Sequence, residues 1–115
     1  MRRLRLPAIL VLLPVLFAGG CDLLNPARSP GEKLYRDNCA KCHGSDGSGN
    51  TPAYMGNPNA DLTDDFWKHG GDDQGIANTI RDGVFGEMPP SRLSDQEIKE
   101  LTRYVRSLHR ETESH

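Results

Sequence analysis

Two cysteines and a histidine stand together at Cys39-Ala40-Lys41-Cys42-His43. Two thiols three residues apart, followed at once by an imidazole, is the spacing that attaches a c-type haem. Each thiol can add to one vinyl group of a porphyrin, giving two thioether bonds. The residue after Cys42 then lies under the macrocycle, where the imidazole of His43 can bind iron. Two other chemistries use the same residue types. A redox-active Cys-x-x-Cys favours a strand-to-helix context, and no β-branched run precedes Cys39. A zinc site needs four ligands, and His69, His109 and His115 do not make a second closely spaced pair. Covalent attachment of haem c through Cys39 and Cys42 is the reading that uses all three residues.

A second axial ligand would complete the iron. A neutral thioether favours ferrous iron and raises the reduction potential. Met88 lies in Gly86-Glu87-Met88-Pro89-Pro90, where two prolines stiffen the backbone behind it. A rigid loop suits a ligand that should hardly move between oxidation states. Met55 is the rival, in a glycine-rich loop nearer to His43. An ordinary methionine fills core space. Met88 is the expected axial ligand, with Met55 the alternative.

Helices must position these groups. Ser29-Pro30-Gly31-Glu32 predicts a helix start, with Ser29 as N-cap, Pro30 in the first turn and Glu32 closing a capping box. Leu34, Tyr35 and Asn38 share one side of that helix, which delivers Cys39 and Cys42 to one porphyrin edge. Residues 44–60 read as a loop, rich in Gly, Pro, Asn and Ser. Residues 61–73 are acidic and include Phe66-Trp67, expected on the haem or in the core, and His69, expected in solvent. Asp72 or Asp73 can cap a helix through Arg81 that ends at Gly83, with Ile76, Ala77 and Ile80 on its apolar side. Residues 84–90 read as an extended loop. Ser94 and Glu97 form a second capping box. The stripe Ile98, Leu101, Val105 and Leu108, with Tyr104 beside it, then predicts a last helix that crosses the first at Leu34 and Tyr35.

The chain opens differently. Arg2, Arg3 and Arg5 precede an apolar run, Leu6 to Ala18, that is too short and too proline-broken to be a good membrane span. Residues 1–20 are therefore expected to be a signal peptide. Ala18-Gly19-Gly20-Cys21 resembles the cleavage site of bacterial lipoproteins, in which the cysteine is acylated. Lipidation at Cys21 would account for the third cysteine, and an ordinary secretory signal that leaves Cys21 as a free thiol is the alternative. In such lipoproteins an aspartate at the position of Asp22 goes with retention in the inner membrane. Residues 21–30 then read as a tether, and 31–115 as one domain. Removing the leader takes three Arg and no acid, so the remaining charge is about −5 and disfavours nucleic acid. It permits docking to a basic surface on a redox protein. The apolar share of residues 21–115 is about 37%, against an ordinary 45–50%. A covalently held porphyrin would supply the missing core.

Cys39-Ala40-Lys41-Cys42-His43, the stretch near Pro58, Met88-Pro89 and the two flanking helices together resemble a class I monohaem cytochrome c. The likeness covers most of residues 31–109. It is closest to the cytochrome c domains of high-affinity bacterial terminal oxidases, in which runs similar to 61–71, Thr79-Ile80-Arg81-Asp82-Gly83 and Met88-Pro89 recur. The resemblance implies an all-α fold with N- and C-terminal helices crossing beside the haem, His43/Met88 ligation, and one-electron transfer at an exposed haem edge. It also implies a hydrogen bond from the His43 imidazole to the carbonyl of Pro58. This chain departs there, because Asn59-Ala60-Asp61-Leu62 is one or two residues longer than the usual Pro-Asn-Leu. It also lacks the membrane helices and second haem motif of the oxidase subunit.

The expectation is a non-enzymatic, lipid-anchored carrier of single electrons on the periplasmic side of a bacterial membrane, with redox proteins as donor and acceptor. Two alternatives stand beside it. One is an accessory haem subunit fixed in an oxidoreductase complex. The other is a haem-based sensor or peroxidase with an open sixth site.

Overall fold

Helix α1, Pro30–Asn38, begins where the sequence places its cap: the Ser29 side chain accepts from the Glu32 N–H at 3.1 Å. The return half of the capping box goes elsewhere. The Glu32 carboxylate accepts from the Arg28 N–H at 2.8 Å and pairs with Arg36, so the segment before α1 is fastened to the helix. Arg36 adds a bond to the carbonyl of Asn25. These facts come from a computed structural model that describes residues 24–113. The expected signal peptide and Cys21 lie outside the described residues.

A break at Cys39 separates α1 from the single turn α2, Ala40–His43. The chain continues as loop to a 3-10 turn at Pro58–Ala60. Helix α3, Asp73–Asp82, is capped by Asp72, whose side chain accepts from the Gly75 N–H at 2.8 Å. Helix α4, Asp95–Glu113, starts from a complete capping box: the Ser94 N–H donates to the Glu97 carboxylate at 2.8 Å, and the Glu97 N–H to Ser94 Oγ at 3.3 Å. Both reciprocal bonds close here because, among the described residues, no competing N–H or cation claims Glu97, as Arg28 and Arg36 claim Glu32.

Both α1 and α3 pack on α4. Burial of the predicted stripe drives this: Ile98, Leu101, Val105 and Leu108 are buried together with Tyr35 of α1 and Ile76 and Ile80 of α3. The tightest point of the α1–α4 crossing is Gly31. A Cβ there would stand 2.3 Å from the Glu100 carbonyl oxygen. One turn along, the rings of Tyr35 and Tyr104 meet at 5.2 Å and 55°, a tilted geometry that aromatic quadrupoles favour. The buried Tyr35 hydroxyl donates to the Gly44 carbonyl at 2.7 Å, which ties α1 to the chain just after His43. Burial also pushes this phenol above its ordinary pKa.

Residues 84–90, expected to be extended, instead open with a tight turn. Val84 and Met88 exchange backbone bonds of 2.8 and 2.9 Å, forming an isolated antiparallel bridge. Among the described residues there is no other pairing of extended backbone and no β-strand.

Candidate haem site

The three elements enclose a cavity of about 520 Å³, within the usual range for a small-molecule or cofactor site. Cys39, Cys42, His43 and Met88 all line it. They arrive from two sides. Cys39, Cys42 and His43 come from the junction of α1 and α2, and Met88 from the turn after α3.

His43 is oriented by a backbone bond. Its Nδ1 lies 2.8 Å from the carbonyl oxygen of Ala60. A carbonyl only accepts, so Nδ1 carries the proton and Nε2 is free for a metal. The expected partner was Pro58. Pro58 instead opens the 3-10 turn and is exposed, while Ala60, at the end of that turn, is buried at 4%. The extra residue or two in Asn59-Ala60-Asp61-Leu62 shifts the accepting carbonyl along the chain to Ala60.

Among the described residues neither Cys39 nor Cys42 is in a disulfide, so both sulfurs are available for thioether bonds. Burial, with the neighbouring Cys42 second, pushes the Cys39 thiol up to about 11. Met88 is held by its bridge to Val84 and by the prolines that follow it. Gly83 makes room for this: its φ is +68°, and a Cβ there would stand 2.5 Å from the Met88 carbonyl oxygen. Met55, the rival, is 72% exposed and does not line the cavity.

The rest of the wall suits a flat apolar ring with a polar fringe. Leu62, Trp67, Ile76, Ile80, Leu101 and Val105 supply the apolar surface. Trp67 is half-buried, as its expected place on the cofactor or core requires, whereas Phe66 is 53% exposed at the rim. Ser91 Oγ is buried in the wall without a hydrogen-bond partner among the described residues. A buried hydroxyl left unpaired is costly, so a ligand with polar groups at its edge fits here better than a wholly apolar one. Lys68, His69 and Arg92 also line the cavity and could face carboxylates such as those haem carries. His69, expected in solvent, is exposed and also lines the cavity. Sequence reasoning missed Ala60 and Ser91. Ala60 acts through its backbone, and Ser91 through a hydroxyl that only the folded wall orphans.

A strand-free frame around a cavity with this cysteine pair and a bonded imidazole defines a small class I c-type cytochrome. The solved structure of the KustC0563 c-type cytochrome has this fold, with a TM-score of 0.58, 32% identity, and coverage of 68% of this chain and 95% of that one. Residues 26–105 match the family described as cytochrome c oxidase, cbb3-type, subunit III, and the chain belongs to that family. It is similar to the cbb3-type cytochrome c oxidase subunit FixP of Azorhizobium caulinodans, 45% identical over 85 residues, covering 72% of this chain and 28% of that protein. It is also similar to subunit CcoP of Rubrivivax gelatinosus, 41% identical over 85 residues, covering 71% of this chain and 26% of that protein. The chain thus spans less than a third of the length of either relative. Its cofactor is covalently bound haem c, and it is an electron carrier of the c-type cytochrome class.

Proposed function

We propose that this chain carries single electrons between redox proteins at the periplasmic surface of a bacterial membrane, held there by a lipid on Cys21. In this reading residues 1–20 are the signal peptide, 21–30 the anchored lead-in and 31–115 the cytochrome domain. Cys39 and Cys42 would hold the haem through two thioethers, and His43 Nε2 and the Met88 sulfur would ligate its iron. The bound group supplies a one-electron change between ferric and ferrous iron. The protein supplies ligand choice, an apolar wall and a fixed imidazole. With two protein ligands on the iron no position would be left for a substrate, and in this reading the chain moves electrons and catalyses no reaction itself.

The observation that carries this reading is that His43, with Nε2 free, and Met88 line the same cavity while Met55 does not. Acylation would confine the carrier to a surface and raise its effective concentration near membrane complexes. No helix among the described residues is long and apolar enough to cross a membrane. Membership of an oxidase-subunit family favours a second reading, a haem subunit that stays bound to one oxidoreductase.

Adding carbon monoxide to the reduced holoprotein tests the filled sixth site. A carrier shows a reversible one-electron titration and an unchanged spectrum at low carbon monoxide. Ready carbon monoxide binding would instead indicate a sensor or peroxidase. Stable co-purification with one membrane complex would replace the shuttle by the fixed subunit.

A further inference from the structure

Two large apolar side chains are held in the open beside the haem cavity, Phe66 at 53% and Phe85 at 105% exposure. One ion pair brings their loops together: Lys68 Nζ lies 3.5 Å from Glu87 Oε1. Phe66 precedes Lys68 by two residues, and Phe85 precedes Glu87 by two. Phe66, Lys68 and Glu87 are exposed residues that also line the cavity, so they mark where it meets solvent. Phe85 does not line it.

Scattered surface hydrophobes are ordinary. Phe85 differs in how it is placed. It sits in the turn closed by the Val84–Met88 bridge, three residues before Met88. The backbone that presents it is therefore the backbone that holds Met88.

The surroundings are acidic. Residues 61–73 carry Asp61, Asp64, Asp65, Asp72 and Asp73 against Lys68, and Asp82 and Glu87 flank Phe85. Arg106 and His109 of α4 meet Asp73 and Asp65, and Glu87 offsets Lys68. Asp61, Asp64 and Asp82 form no salt bridge among the described residues, while Arg92 supplies one positive charge on the cavity wall.

We propose that Phe85 and Phe66 form the apolar centre of a docking surface for a redox protein whose own contact patch is apolar and rimmed by lysine or arginine. The proposal rests on the electron-carrier reading above and names the partner's chemistry. Electron-transfer encounters are small and brief, so two aromatic contacts and a complementary rim suffice to align the partners. One electron crosses and no atom is transferred.

The test uses the haem-loaded protein and, as probe, a basic, lysine-rimmed soluble cytochrome c in its ferrous form, mixed by stopped flow. Ascorbate serves as a small reductant that needs no docking. Replacing Phe85 by Ser should lower the bimolecular rate constant with the probe roughly tenfold, as loss of an aromatic anchor does. Phe85→Leu should restore most of it, and the ascorbate rate should match wild type in both. The wild-type rate with the probe should fall as salt rises. Equal rates for wild type and Phe85→Ser, or a rate that rises with salt, would overturn the proposal. A concentration-dependent dimer that Phe85→Ser abolishes would assign the patch to a second copy and also overturn it. Failure of the wild-type holoprotein to take an electron from ascorbate would overturn the carrier reading, and the docking surface with it.

Discussion

His43 Nδ1 and the Ala60 carbonyl oxygen are 2.8 Å apart, and that one bond decides which imidazole nitrogen faces the cavity. Gly49 protects it. Gly49 has φ +71°, and a Cβ there would come within 2.7 Å of the Ala60 carbonyl carbon. Gly49→Ala should therefore displace the carbonyl and cost about 1–2 kcal/mol for the left-handed backbone alone. A weaker bond leaves the imidazole less basic, which favours ferrous iron. The reduction potential should rise in a potentiometric titration, and an unchanged potential would contradict the role given to Ala60.

Gly31→Ala separates helix propensity from packing. Alanine is the better helix former by about 1 kcal/mol, so an isolated α1 would gain. In the protein the added methyl meets the Glu100 carbonyl and the Tyr104 Cβ at 2.3 and 2.9 Å. Urea unfolding of the holoprotein should show net destabilisation of about 1–3 kcal/mol from overpacking. A gain in stability would mean that the helices do not cross this closely.

How much of this was legible beforehand depends on how local the signal is. The caps at Ser29 and Ser94, the α4 stripe and the pairing of Tyr35 with that stripe could be read because each is a short-range pattern. The motif that brings Cys39, Cys42 and His43 to one cavity was legible for the same reason. The Ala60 bond was not, since any residue can offer a carbonyl and the choice depends on loop length. The half-open capping box at Glu32 was missed because the Ser-x-x-Glu pattern does not distinguish the Ser29 N–H from the neighbouring Arg28 N–H that takes the carboxylate, with Arg36 beside it. The Val84–Met88 bridge was missed because two bonded residues leave no periodicity to detect.

Glu32 gives a pH dependence with a definite sign. The Arg28 N–H, with Arg36 assisting, holds its carboxyl below the ordinary glutamate value of 4.5, although partial burial opposes the shift. A depressed folded value means stability that is present above the unfolded value and lost as pH falls through the folded one. Glu32→Gln should thus be destabilised relative to wild type at pH 7, and the gap should close as pH drops below 4.5. Chemical denaturation at several pH values measures it, and a gap independent of pH would contradict the account.

The haem should complete the core. Among the described residues eight hydrophobic side chains are buried, and a domain this small has little apolar burial to spare. Replacing both Cys39 and Cys42 by Ser should remove covalent attachment and, with it, most cooperative unfolding seen by far-ultraviolet circular dichroism. A well-folded, haem-free chain would show that α1, α3 and α4 suffice alone.

His43 and Met88 are the central pair of the proposed site. The most direct measurement is the far-red absorption of the ferric holoprotein, in wild type, Met88→Ala and Met55→Ala. A weak methionine-to-iron charge-transfer band should be present in wild type, persist in Met55→Ala and vanish in Met88→Ala. Absence of the band in wild type, a high-spin spectrum, or a band lost with Met55 in place of Met88 would contradict it.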